Sequence, residues 1–456
     1  MAGGSVEGRK WITEKRSKGE HQVNQQSHSR SEQLFEKAQR YISGGVNSPS
    51  RSFAAVGGGS PVFIQRGEGA YLYSVDGHRY IDYLCAFGAL ILGHAHPEIV
   101  NAVSAGLRRG TVYGAPTELE VEFAAKLCEI IPTLEMVRFN VSGTEAVMTA
   151  IRLARAATGR SKILKFSGSY HGHSDLVLVS AGSGSSTLNI DDSLGVPSSV
   201  KQEVVDVPFN NPEALRQAVA LYGDELAAAL VEPVVGNFGI VPPEPGFLEL
   251  IEQLMHDCGA LVIWDEVITA FRFSYGSIQN LFGLRPDIIT LGKIIGGGLP
   301  IGAYGARREL MEYVAPVGGV YQDGTMAGNP LSMLAGMTCL ELLKEPGLYD
   351  RLAHHGRTLA DAARAASQKY GVATHVGHFG GAVSILFTDE RVIDFEGCNR
   401  SSSDRFTRFF RCMLEQGIII PPSKYEAMFV SAAHSQEDID YTAECIDRAL
   451  AKIAEE

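Results

Sequence analysis

The chain has 456 residues, of which 45% are hydrophobic and 20% charged, with 40 Lys plus Arg against 52 Asp plus Glu and a net charge of −12. That length exceeds what one core usually spans, so two or three domains are expected, and the acidic balance speaks against nucleic acid or an anionic membrane as the main partner. Seven cysteines without a C-x-x-C pair, no apolar run of membrane-spanning length and no apolar signal segment predict a reduced, cytoplasmic, soluble protein.

Residues 1–30 are polar and mixed in charge and read as a flexible tail, while Glu7, Glu14 and Glu20 speak against a transit peptide. Ser31 to Tyr41 predicts a capped amphipathic helix stopping at Gly44-Gly45, and Val62 to Leu84 alternates around Asp76-Gly77 as a hairpin does; together they make an N-terminal segment, 31–96. From Pro97 the rhythm changes. Helix-period stretches (Pro97 to Arg109, Glu118 to Ile131, Thr144 to Thr158, Pro245 to Cys258) alternate with apolar strands (Met136 to Phe139, Lys162 to Phe166, Ala227 to Val231, Leu261 to Trp264, Ile288 to Leu291, Gly302 to Gly305). The alternation predicts a large α/β domain over 97–345, with a mostly parallel sheet and ligands at the carboxyl ends of its strands. After about Pro346 the order is helix, strands, helix, strands and helix, which predicts a smaller α+β domain over 346–456.

Several strand ends carry chemistry. Ser142-Gly143-Thr144 follows a strand and opens a helix, so its free amides and hydroxyls suit a phosphate, although a plain Ser/Thr helix cap looks the same. Tyr170 and His171 follow the next strand, where an aromatic ring can stack on a planar cofactor or simply pack in a turn; His171 and His173 lack a third ligand at metal spacing, and no metal is expected. Asn237, after Glu232-Pro233, suits a ring substituent or a turn equally. Asp265 ends one apolar run and Lys293 ends another, before Ile294-Ile-Gly-Gly-Gly-Leu-Pro300. Such a lysine can bind the aldehyde of pyridoxal phosphate as an imine while a carboxylate keeps the pyridine nitrogen protonated. Gly324-Thr325 enters a helix and suits a second phosphate donor or a cap.

These segments in this order resemble the class III, fold-type I aminotransferases, and within them the glutamate-1-semialdehyde 2,1-aminomutase family. The resemblance runs from about Ser31 to Ile453. It is carried by Gly44-Gly-Val-Asn-Ser-Pro49, Gly93-His-Ala-His-Pro97, Ser142-Gly-Thr-Glu-Ala146, Tyr170-His-Gly-His173, Ala181-Gly-Ser-Gly184, Asp265-Glu-Val267, Thr290-Leu-Gly-Lys-Ile-Ile-Gly-Gly-Gly-Leu-Pro300 and Gly328-Asn-Pro330. It implies pyridoxal 5′-phosphate, with a pyridoxamine form. Lys293 would be the imine lysine, Asp265 the pyridinium partner and Tyr170 the stacking ring. Ser142, Gly143 and Thr144 would take the phosphate, His171 and Asn237 would line the ring, Gly324 would also bind the cofactor, and Thr325 would come from the second subunit of a homodimer. Ser48, Arg51, Phe87 and Glu426 match substrate positions, where without the family Arg51 and Glu426 would read as surface charges. Residues from about Ala181 to Pro197 match a lid.

The implied reaction converts glutamate 1-semialdehyde to 5-aminolevulinate, for tetrapyrrole (porphyrin) biosynthesis, by amino exchange through a diamino acid. The chain departs from the family pattern at Phe87-Gly88-Ala89, at Val141, at Gly318-Gly-Val-Tyr-Gln-Asp323 and in the lid at Ser185-Ser-Thr-Leu-Asn189. These positions face the substrate side. They leave the cofactor reading intact and keep open an intermolecular transaminase acting on an amino acid, β-amino acid or amine. A cofactor-bearing regulatory module without turnover is the reading from another class, and Lys293, Asp265 and the lid together count against it.

Overall fold

The computed structural model describes residues 29–179 and 193–455. Helix α1 (Ser29–Ala38) leads to a meander of β1 (Ile64–Glu68), β2 (Tyr71–Ser74) and β3 (Arg79–Asp82), with Asp76 and Gly77 at the β2–β3 turn. Next come α2 (Pro97–Leu107), which starts on a proline, and α3 (Glu118–Ile130), which starts on a reciprocal cap between Thr117 and Glu120.

The large sheet contains β4 (Met136–Asn140), β5 (Lys162–Phe166), β6 (Val204–Val207), β7 (Leu226–Val231), β8 (Leu261–Asp265), β9 (Ile288–Gly292) and β10 (Gly302–Ala306), in the order β4-β10-β9-β8-β7-β5-β6. From β9 to β6 the pairs are parallel, and only β10 runs against its neighbours β9 and β4. Strand β7, Leu-Ala-Ala-Ala-Leu-Val, is buried at every position, the signature of a central strand covered on both faces. Helices α4 (Gly143–Thr158), α5 (Pro212–Tyr222) and α6 (Phe247–Asp257) supply part of that cover. Two of these elements escape the sequence pattern. Strand β6 has four residues, one exposed, and α5 follows it closely, so neither presents a long periodic stretch.

Helix α7 (Pro330–Leu342) and the long α8 (Leu348–Tyr370) connect to β11 (His375–Phe379), β12 (Ala382–Leu386), α9 (Ser403–Glu415), β13 (Ile418–Ile419), β14 (Met428–Phe429) and α10 (Gln436–Ala454). Strands β11, β12 and β14 form a three-stranded sheet, whereas β13 joins the N-terminal meander, pairing parallel to β3 through Ile418 and Ile81. The first and last parts of the chain therefore share backbone pairing and a core, in which Phe53 meets Phe410 with ring centroids 5.1 Å apart. No helix among the described residues is long and apolar enough to cross a membrane. The cysteines are free, and Cys85, Cys339, Cys398, Cys412 and Cys445 are buried.

Candidate active site

Parallel strands in register end at one level, so the residues that follow them meet. Asp265 closes β8; Lys293 follows β9 and begins a single 3₁₀ turn, Lys293–Gly296, at φ +47°. Glu232 follows β7, Tyr170 and His171 lie beyond β5, and Ser142 caps α4 just beyond β4. Between them lies a cavity of about 390 Å³ whose wall includes Lys293, Asp265, Tyr170, His171, Asn237 and Thr144.

Asp265 is 5% exposed and fully engaged. Its Oδ2 lies 2.7 Å from His171 Nδ1, and its Oδ1 accepts from the Val267 amide and the Thr290 hydroxyl, each at 3.1 Å. These contacts from three different segments fix the position of the carboxyl group at the cavity wall. His171 Nε2 is buried without a protein partner. Glu232 is buried too. Its Oε1 accepts from the Tyr170 amide at 3.1 Å, and its Oε2 accepts from the Gly236 amide at 3.0 Å and from Asn237 Nδ2 at 2.8 Å. One acid thus places both ring-facing residues, while its own burial pushes its carboxyl up.

Burial also lowers the Lys293 amine, with the Arg272 charge acting the same way, against the opposing pull of Glu426, Glu232 and Asp265. A neutral amine is what an imine-forming and proton-carrying lysine requires. The segment expected to take a phosphate lies at the same cavity. Ser142 Oγ accepts from the Glu145 amide at 3.2 Å, so the plain cap is real, yet Gly143 and Thr144 still line the cavity and their amides have no intrahelical acceptors. The cap leaves those amides facing the cavity. A Cβ on Gly172 would sit 2.5 Å from Thr144 Oγ1, so this glycine is what lets the two loops close.

The remaining expected residues lie farther from the cavity wall. Ser48 precedes the 3₁₀ turn Pro49–Arg51, where Arg51 is exposed and forms no ion pair with a described residue. Gly324 and Thr325 are exposed beside a separate cavity of about 400 Å³ lined by Glu120, Arg138 and Gln322. Glu426 is half-buried next to β14, near enough for its charge to act on Lys293 and Tyr170. Phe87 is half-buried on the turn Cys85–Gly88, and Ala89, immediately after it, lines the cavity. That turn winds left-handed, with φ of +44°, +51°, +55° and +87°. For its non-glycine residues this costs roughly 1–3 kcal/mol each and persists only where surroundings enforce it. Of the lid expected over about 181–197, residues 181–192 lie outside the described residues.

The sequence reading assigned no role to Glu232, Thr290, Val267 or Arg272. Glu232 was visible as a strand-end acid; the others became legible only once the strands were aligned.

Residues 53–450 match the aminotransferase class-III family. Among solved structures, an omega-transaminase from Sphaerobacter thermophilus superposes with a TM-score of 0.86 at 34% identity over 93% of this chain and 97% of that one. A β-phenylalanine aminotransferase from Variovorax paradoxus gives 0.83 at 31% identity, covering 92% of this chain and 93% of that one. A glutamate-1-semialdehyde aminomutase from Pseudomonas aeruginosa PAO1 gives 0.83 at 24% identity, covering 93% and 95%, a level that speaks to fold alone.

Proposed function

Because the chain belongs to the aminotransferase class-III family, we propose that it is an intermolecular transaminase that takes the amino group from an amine or β-amino acid with an apolar body and passes it to a keto acid. Pyridoxal 5′-phosphate is its cofactor, and when bound it supplies an aldehyde carbon that takes up the amino group and a ring that absorbs carbanion charge. Asp265, positioned by His171 and Thr290, would accept the hydrogen bond of the protonated ring nitrogen. Tyr170 and Val267 would offer apolar surface to the ring, and the amides of Gly143 and Thr144 would hold the phosphate. Lys293, whose ammonium form burial disfavours, would anchor the cofactor between turnovers and move a proton to and from the substrate carbon.

The observation that carries the choice of reaction is the identity of 34% and 31% to proteins described as an omega-transaminase and a β-phenylalanine aminotransferase, against 24% to an aminomutase. The cavity wall agrees. Among the described residues that line it, Lys293 is the lone Lys or Arg, and Ala89, Ile268, Leu299 and Ile301 make much of the rest apolar. An aminomutase is the second reading, favoured by the segments Gly44-Gly-Val-Asn-Ser-Pro49 and Thr290 to Pro300. One assay separates them. Purified enzyme with a β-aryl-β-amino acid should turn over only when a keto acid is added; formation of 5-aminolevulinate from glutamate 1-semialdehyde with no added donor or acceptor overturns the proposal.

A further inference from the structure

Arg272 is one of the largest fully buried side chains, 1% exposed, in the segment that follows β8. Its Nη2 donates to the Gly88 carbonyl, its Nη1 donates to the Val430 carbonyl at 3.2 Å, and its guanidinium lies 5.3 Å from the centre of the Phe429 ring. Nε has no partner, and no carboxylate pairs with it among the described residues. A buried cation held by two carbonyls and one aromatic face, with no carboxylate, is costly, and desolvation pulls its pKa down to about 10. Simple core filling would be served better by an apolar residue.

What Arg272 grips is the strained turn. Gly88 ends the left-handed stretch Cys85–Gly88, and Ala89 then enters the cavity wall. The same turn is tied from below by Asp82, whose Oδ1 accepts from the Leu84 and Cys85 amides at 2.8 and 3.2 Å, and by Cys85 Sγ, which donates to the Phe429 carbonyl at 3.2 Å. Phe429 closes the gap over Gly88, where a Cβ would stand 3.3 Å from its ring. We infer that Arg272 is a positioning residue which locks the left-handed turn Cys85–Gly88 and thereby sets where Phe87 and Ala89 stand against the substrate, making it a determinant of substrate size. The planar fork explains the residue type, since one side chain must reach two carbonyls diverging from different elements; a lysine brings the charge without the fork.

The inference rests on the proposed transaminase reading only for the choice of substrates. Two measurements test it on the holoenzyme. In Arg272→Lys, the ratio of kcat/KM for an amine with an aryl substituent to that for a small alkyl amine should change at least about fivefold, through KM, while kcat for the small amine stays within about twofold. Hydrogen exchange should accelerate in the amides of 84–90 and stay unchanged in β7 and β8. An unchanged selectivity ratio, or exchange that rises equally across the large sheet, overturns the inference. If Arg272→Lys does not fold, wild-type exchange decides: amides of Phe87, Ala89 and Leu90 exchanging as fast as exposed loops overturn it, and protection matching β8 supports it. A wild-type enzyme without transaminase turnover counts against the proposed function and leaves the exchange result to judge Arg272.

Discussion

At the residue scale the site works by opposing burial and charge. Burial disfavours the ammonium form of Lys293, so its amine loses its proton at a lower pH than an exposed lysine near 10.5. In cofactor-stripped enzyme, acylation of Lys293 by a small amine-reactive reagent should therefore persist towards neutral pH after exposed lysines such as Lys452 have fallen silent. Peptide mass mapping reads this, and a Lys293 profile that coincides with Lys452 refutes it. Asp265 carries the complementary prediction. Asp265→Asn keeps the shape and loses the charge that a protonated ring nitrogen needs, costing about 3 kcal/mol, the size typical of a lost preorganised electrostatic group. Single-turnover proton transfer should slow on the order of a hundredfold, and a rate equal to wild type removes Asp265 from that role.

At the element scale, β10 packs against the N-terminus of α4, to which the proposed function gives the cofactor's phosphate. Gly302 faces the α4 N-terminus so closely that a Cβ would stand 2.0 Å from the Ser142 carbonyl oxygen, so Gly302→Ala must displace the cap or the strand. Overpacking of this kind costs roughly 1–3 kcal/mol. Thermal unfolding should fall by several degrees, and affinity for pyridoxal phosphate should fall further than affinity for the bare pyridine aldehyde, because the damage lies at the phosphate. Equal losses for both ligands point instead to general destabilisation. The neighbouring strands were readable in advance because long apolar runs alternated with helical stretches. Strand β11 escaped the pattern, since His375 and His378 interrupt its apolar residues.

At the scale of the whole molecule, Thr325 is exposed and absent from the lining of the Lys293 cavity. The family resemblance places it at a second subunit's phosphate, and large apolar side chains left on the surface, Leu107, Val121, Tyr321 and Met326 among them, suit burial against another copy. Light scattering of the holoenzyme at micromolar concentration should report a dimer. Thr325→Val should weaken cofactor retention without changing that mass; a fully active monomer refutes the shared site.

The sequence by itself determined the class of fold and the cofactor chemistry. The alternation of apolar strands with helices fixes a parallel α/β sheet by burial, and Ser142, Tyr170, Asp265 and Lys293 each stand where such strands end. Tertiary structure decided what local sequence cannot carry. Glu232 reaches Tyr170 and Asn237, Thr290 reaches Asp265 across neighbouring strands, β13 pairs with β3 over more than three hundred residues, and Arg272 meets Gly88. The physical reason is separation along the chain. A strand end announces itself through its own hydrophobic pattern, whereas a partner from another element is chosen by sheet register and packing, which exist only in the folded chain.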